Sequence, residues 1–262
     1  MTRPAEKPVP REARQALWLW VTFFCLAVAI NGTLPFLAGA DLHAWTYSKW
    51  KGALFDPLIY GCVFMVGPVL LVKGRSAARQ PSVAIALVIG VAALAVRPFA
   101  RPAAVVALLV LLYLHMRHDL SSLGIVSPWS RRGLAAILIL GLLPLAVRGM
   151  APQAWGWHPS VALQAALDRL LLNPASTSEN LFYFGLLTER LEPWTGRWKT
   201  PLLIGALYTA HEMSNPEYWY EGMNFLVVFI GVGITAALYL WCRSVVAIWL
   251  SSGLARFVTR LW

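Results

Sequence analysis

The chain predicts an all-α fold, a polytopic transmembrane helix bundle of roughly eight to nine membrane segments, and three observations carry that expectation. Of its 262 residues, 58% are hydrophobic and only 13% charged, whereas soluble domains are about 25% charged; the mean hydropathy is +0.61. Several apolar stretches reach the roughly 17 to 25 residues that a helix needs to cross the hydrocarbon core. The short alternating segments of a β-barrel are absent.

The first apolar segment spans 17–38. Arg3, Lys7, Arg11 and Arg14 precede it and Ala38-Gly39-Ala40 resembles a cleavage site, yet the run is too long for a signal-peptide core and reads as an uncleaved span. Segments at 54–72, 82–100 and 103–116 follow. The last two are joined by "RPFARPAA", whose Pro98 and Pro102 cannot continue a helix and whose arginines reach towards headgroups. Further segments lie at 133–149, 200–213, 222–242 and 245–261. A less apolar region, 160–191, counts as one re-entrant or partly buried crossing.

The formal charge of +10, from 22 basic and 12 acidic residues, is spread between the apolar stretches. That distribution fits positive-inside flanking of a lipid bilayer, with no nucleic-acid partner. Arg3 to Arg14, Lys73 to Arg79, Arg117 to Arg132 and Arg190 to Lys199 fall on one side. This places the N-terminus in the cytoplasm, and the composition suggests a bacterial cytoplasmic (inner) membrane. The acidic, aromatic "HEMSNPEYWYEG" falls on the opposite side, with Tyr218, Trp219 and Tyr220 as an interfacial belt. Cys25, Cys62 and Cys242 sit in apolar segments without a CxxC pair, which argues against disulfides and thiolate zinc. One bundle without repeats accounts for the chain, so the inverted repeats of a transporter are not visible.

Ionisable residues at membrane depth cost about 2.5 to 3.5 kcal/mol on insertion scales and are functional suspects. Asp56, Arg97, Asp168, Glu179, His211 and Arg256 lie in or beside apolar runs. Ser176-Thr177-Ser178-Glu179 follows Asn173 and Pro174 and matches a capping box, in which the Glu reaches back to the cap N–H. A carboxylate there also sits at the positive end of the helix dipole, so capping and function are compatible. His211 ends "PLLIGALYTAH"; "HEMSN" fails the HExxH zinc signature because Asn215 occupies the second histidine position. His115, His118 and Asp119 read as an interfacial helix end.

Glu179 and His211, in this order and setting, resemble the CPBP family of CAAX proteases and bacteriocin-processing enzymes (the ABI domain). "ENLFYFGLL" is similar to its first motif, E-E-x-x-x-R-G. Gly185 falls on the glycine and Glu179 on the first glutamate, while Asn180 and Phe184 replace the second glutamate and the arginine. "LYTAH" is similar to F-x-x-x-H, with Leu207 at the aromatic position. "FIGVGITAALYLWCRSVVAIW" resembles the glycine-patterned third motif. In "SGLAR", Ser252 and Arg256 stand where H-x-x-x-N or H-x-x-x-D belongs.

The resemblance covers roughly 120–258, dividing the chain into a motif-free 1–119 and a CPBP-like membrane domain, 120–262. It implies a membrane-embedded peptidase acting on a peptide or membrane-protein substrate. Glu179 would then be the general base, His211 an oxyanion stabiliser or metal ligand, and Asn180 a positioner of water or substrate. Glu212, Asn215 and Ser252 are supporting candidates, and a divalent metal is an optional cofactor with Glu179 and His211 as ligands. The alternative is a catalytically inactive CPBP-like membrane scaffold or binding protein.

Overall fold

The computed structural model describes residues 9–39, 41–46, 55–68, 71, 88, 120–148, 159–172, 178–220 and 222–260. Among the described residues all regular structure is helical. Helix α1 runs Arg11–Leu37 with a widened i→i+5 turn at Ala29–Thr33. Short α2 is Leu42–Thr46, and α3, Asp56–Val66, is wound throughout with i→i+5 bonds. After a 3₁₀ turn at Leu120–Leu123 comes α4, Arg131–Arg148. Helix α5, Pro159–Leu167, continues as an i→i+5 turn at Asp168–Leu172. Helix α6 comprises Asn180–Thr188, again i→i+5, and Glu189–Thr195. Then follow α7 Lys199–Met213, α8 Pro216–Tyr220, α9 Phe225–Cys242 and α10 Val245–Arg260.

Among the described residues two helices, Arg11–Leu37 and Phe225–Cys242, are long and apolar enough to cross a membrane. The region read as one crossing, 160–191, contains two helical segments, α5 and α6, on either side of 173–177. The segments at 82–100 and 103–116, the "RPFARPAA" turn with Arg97, and His115, His118 and Asp119 lie outside the described residues. So do Ser176 and Thr177 of the capping box.

Helix α6 is the axis of the bundle. All nine residues from Asn180 to Thr188 are buried, as expected for a helix that is apolar all round. It packs against α1, α3, α7, α9, α10 and the turn at 120–123. Gly185 allows this approach: a Cβ there would lie 2.5 Å from the Leu123 carbonyl oxygen and 3.2 Å from Val245. Aromatic rings fill the opposite side. Phe64 stacks on Phe182 at 4.4 Å and 19°, and Phe23 meets Phe64 at 4.8 Å; such pairs contribute about 0.5–1.5 kcal/mol each beyond burial. Phe23 and Phe64 share one core with residues beyond position 120, so the N-terminal helices complete the packing around the C-terminal ones.

The two ends of the bundle are tied differently. At one end Arg190 pairs with Glu12, and Arg243 reaches both Glu189 (3.1 Å) and Glu192 (2.6 Å). Tyr239 donates its hydroxyl to Glu189 at 2.6 Å. The Val245 N–H donates to the Gly124 carbonyl at 2.8 Å, and Ser244 Oγ to the Val126 carbonyl at 2.9 Å. Gly124, at φ +66, has no room for a Cβ because the Tyr239 hydroxyl fills that space. Arg243 itself takes a left-handed conformation (φ 55) to end α9. Burial works against its charge, but hydrogen bonds to Glu192 and the attraction and hydrogen bonds of Glu189 outweigh that and push the guanidinium up.

At the other end Asn31 Nδ2 donates to the Ser214 carbonyl at 3.0 Å and Trp45 Nε1 to the Ile30 carbonyl at 2.8 Å. His43 meets Tyr220 edge-on at 5.0 Å. The parts of 3–14 and 190–199 that are described are tied together at one end, and Ser214, in "HEMSNPEYWY", meets the opposite end of α1; Lys73 to Arg79 lie outside the described residues.

Candidate functional site

A cavity of about 280 Å³ opens between α4, α5, α6, α7, α9 and α10. Its polar wall is built from five helices: Arg169 from the end of α5, Glu179 and Asn180 from the start of α6, Tyr208 from α7, Thr235 from α9, and Ser251 and Ser252 from α10. Phe184, one turn along α6, and the aliphatic side chains of Leu140, Leu143, Val232 and Ile248 supply most of the apolar wall. Small residues at Gly231 and Ala255 leave the space; a Cβ on Gly231 would touch nothing within 4 Å.

Glu179 has helical backbone angles (φ −64, ψ −44) and makes no side-chain cap bond to the helix that follows it. Its Oε2 instead accepts the Tyr208 hydroxyl at 3.1 Å. Among the described residues Oε1 has no hydrogen-bond partner, and the side chain is partly exposed at the cavity surface. Glu179 lies within electrostatic reach of Glu212 and of Arg169. Asn180 is 9% exposed beside it. Ser252 donates its hydroxyl back to the Trp249 carbonyl at 2.7 Å.

The cavity thus brings together Glu179, Asn180 and Ser252, with Phe184 on the same lining. His211 is not on its lining. The imidazole stands on the far side of Tyr208 in a box of rings: Phe23 edge-on at 4.6 Å, Phe64 at 5.9 Å, Tyr183 stacked at 5.9 Å and 6°, and Tyr208 at 5.5 Å. It is 4% exposed, and its Nδ1 has no hydrogen-bond partner among the described residues. Glu212 is buried next to it. Asn215 ends the helix, its N–H donating to the Glu212 carbonyl at 3.1 Å. His211 and Glu212 are therefore buried side by side off the cavity lining, and Asn215 is half-buried at the end of the same helix.

Among the described residues no three His, Cys, Asp or Glu side chains converge on one point. A catalytic metal usually has about three protein ligands, and the groups around Glu179 include a guanidinium. This donor set does not fit a tightly held divalent metal at the cavity.

Sequence reasoning passes over two members of the site. Tyr208 is three residues before His211 and four before Glu212, so the three share a helix face. Arg169 is a lone cation in "AALDRLLL"; its neighbour Asp168, an ionisable residue beside the same apolar run, is exposed and not on the lining. What the arrangement can do is hold a carboxylate by one oxygen at the wall of an open cavity that also carries a guanidinium, an amide and hydroxyl groups. Comparison of the chain with protein-family models, with curated proteins and with solved structures finds no match in any of the three.

Proposed function

We propose that the protein is a divergent CPBP-type intramembrane endopeptidase. In this reading Glu179 activates water against a peptide bond of a membrane peptide or protein, inside a bundle of roughly eight to nine spans. The observation that carries it is the meeting of Glu179, Asn180 and Ser252, positions of the first and fourth motifs and far apart in sequence, on one cavity. The membrane setting draws support from the two helices of spanning length. Their apolar windows are only 22% buried, and Phe36, Leu138, Leu226 and Val227 point outwards. Lipid tails are as apolar as leucine, so such a surface needs no protein cover. With the basic end inward, the N-terminus is cytoplasmic, in a bacterial inner membrane.

The chemistry needs few parts. Water in the cavity gives a proton to Glu179 Oε1 while its oxygen attacks the carbonyl carbon. When the tetrahedral intermediate collapses the C–N bond breaks, and the protonated Glu179 returns the proton to the leaving amine, giving a new carboxyl and a new amino end. Tyr208, donating to Oε2, fixes which oxygen faces the water. Asn180 can donate to water or carbonyl but cannot take up a proton. His211, enclosed by rings, supports Tyr208 from behind and does not meet the substrate.

The inactive scaffold is the second reading. It is favoured by Phe184 and Ser252, which stand where the resemblance implies an arginine and a histidine, and by the position of His211 off the cavity. Incubating the purified protein in nanodiscs with a library of hydrophobic peptides, with mass-spectrometric readout, separates the two. The peptidase gives products that Glu179→Gln abolishes at unchanged thermal stability. A protein that cleaves nothing, or a variant that still cleaves, would sink it.

A further inference from the structure

We propose that Arg169 is the group that holds the developing oxyanion in this cavity, a catalytic residue that the sequence motifs do not contain. The inference rests on the hydrolytic reading of the same site. Arg169 reaches the cavity from the i→i+5 turn Asp168–Leu172 and is half-buried. Among the described residues it makes no hydrogen bond and no ion pair. Its charge is felt by Glu179 and by the hydroxyls of Tyr60 and Tyr208, yet none of them closes on it.

A half-buried guanidinium without a partner is unfavourable unless something answers it. It carries five N–H donors in a fixed fork, no acceptor, and a permanent charge. Glu179 and Arg169 line the same cavity without pairing, so both face the space in which a reacting group would sit. A peptide carbonyl seated there has the base on one side and the cation on the other. The carbonyl oxygen is neutral in the bound substrate and becomes an anion only as water adds, so the attraction of Arg169 grows in the transition state, where it accelerates the reaction. The positive charge that Phe184 removes from the first motif is thereby supplied from another helix. The electrons are accounted for without a metal: the C=O π pair moves to the oxygen facing Arg169, then returns as the C–N bond breaks.

Two measurements in nanodiscs test this on wild type, Arg169→Gln and Arg169→Lys, each with its melting temperature recorded. The first follows a peptide cleaved in a Glu179-dependent manner. Arg169→Gln lowers kcat by about 10²- to 10³-fold, the usual loss for an oxyanion donor, with little change in KM. Added guanidinium ion restores part of the rate, which no merely structural role would allow. The second uses a hydrophobic peptide phosphinate, an anionic tetrahedral mimic, against its neutral methyl ester. Wild type prefers the acid, and Arg169→Gln loses the preference. Cleavage with intact kcat in Arg169→Gln, or no preference for the acid in wild type, overturns the assignment and leaves the peptidase reading standing. An Arg169-dependent preference in a protein that cleaves nothing overturns the peptidase reading and the catalytic assignment together, and leaves Arg169 as an anion-binding group only.

Discussion

The same substitution at two glycines tests how α6 is held. At Gly185 an added methyl would sit 2.5 Å from a backbone oxygen, that of Leu123, and 3.2 Å from the Val245 side chain. A carbonyl cannot rotate away like a side-chain tip, so the helix or the turn must shift, and overpacking of this kind costs about 1–3 kcal/mol. Alanine recovers roughly 0.5–1 kcal/mol of that through helix propensity, leaving a net loss centred on about 1 kcal/mol and at most about 2.5 kcal/mol for Gly185→Ala. At about 2–4 °C per kcal/mol for a chain of this size, the melting temperature falls by roughly 2–4 °C and by no more than about 10 °C. Gly231→Ala is the control. It adds the methyl where nothing lies within 4 Å, so only the propensity gain remains and the protein is as stable or slightly more so. The chain's 13 tryptophans make thermal unfolding readable by intrinsic fluorescence in detergent or nanodiscs. A Gly185→Ala protein that melts with wild type, or a Gly231→Ala protein that falls as far, would refute the packing of α6 against 120–123 and α10.

Two further outcomes follow from the helix ends. Asn224 caps α9, its side-chain oxygen accepting from the Leu226 and Val227 N–H groups at 3.1 and 3.3 Å, so Asn224→Ala destabilises by about 0.5–2 kcal/mol; Asn224→Ser recovers most of the loss in the same melting assay. Arg243→Gly keeps the left-handed backbone and removes the contacts to Glu189 and Glu192; with the arginine side chain 43% exposed, each pair contributes about 1 kcal/mol or less. The loss therefore shrinks in high salt, and a salt-independent loss would mean that the pairs are not its source.

Hydropathy alone located α1, α4, α7, α9 and α10 to within a few residues, because an apolar run flanked by charge has few other ways to fold. The region 160–191 was harder: Asn173 and Pro174 announce a break, but the polar residues around it hide that α6 is the most enclosed helix. Glu179, Asn180 and Ser252 stand out in the sequence through the resemblance, and the structure puts all three on one cavity. Tyr208 and Arg169 on the same lining do not stand out, since a cavity among six helices is a tertiary object. His211 shows the limit from the other direction. Its motif position suggested a place at the chemistry, but Phe23 and Phe64, from helices with no motif, close around it and leave Tyr208 to meet Glu179.

The central claim is that Glu179 activates water for peptide-bond hydrolysis, and isotope incorporation tests it most directly. Cleavage of a membrane peptide by the reconstituted protein in ¹⁸O-labelled water should place one label in the new carboxyl terminus, with wild-type protein and not with Glu179→Gln. Equal labelled product from Glu179→Gln, or no labelled product from a folded wild-type protein, would contradict it.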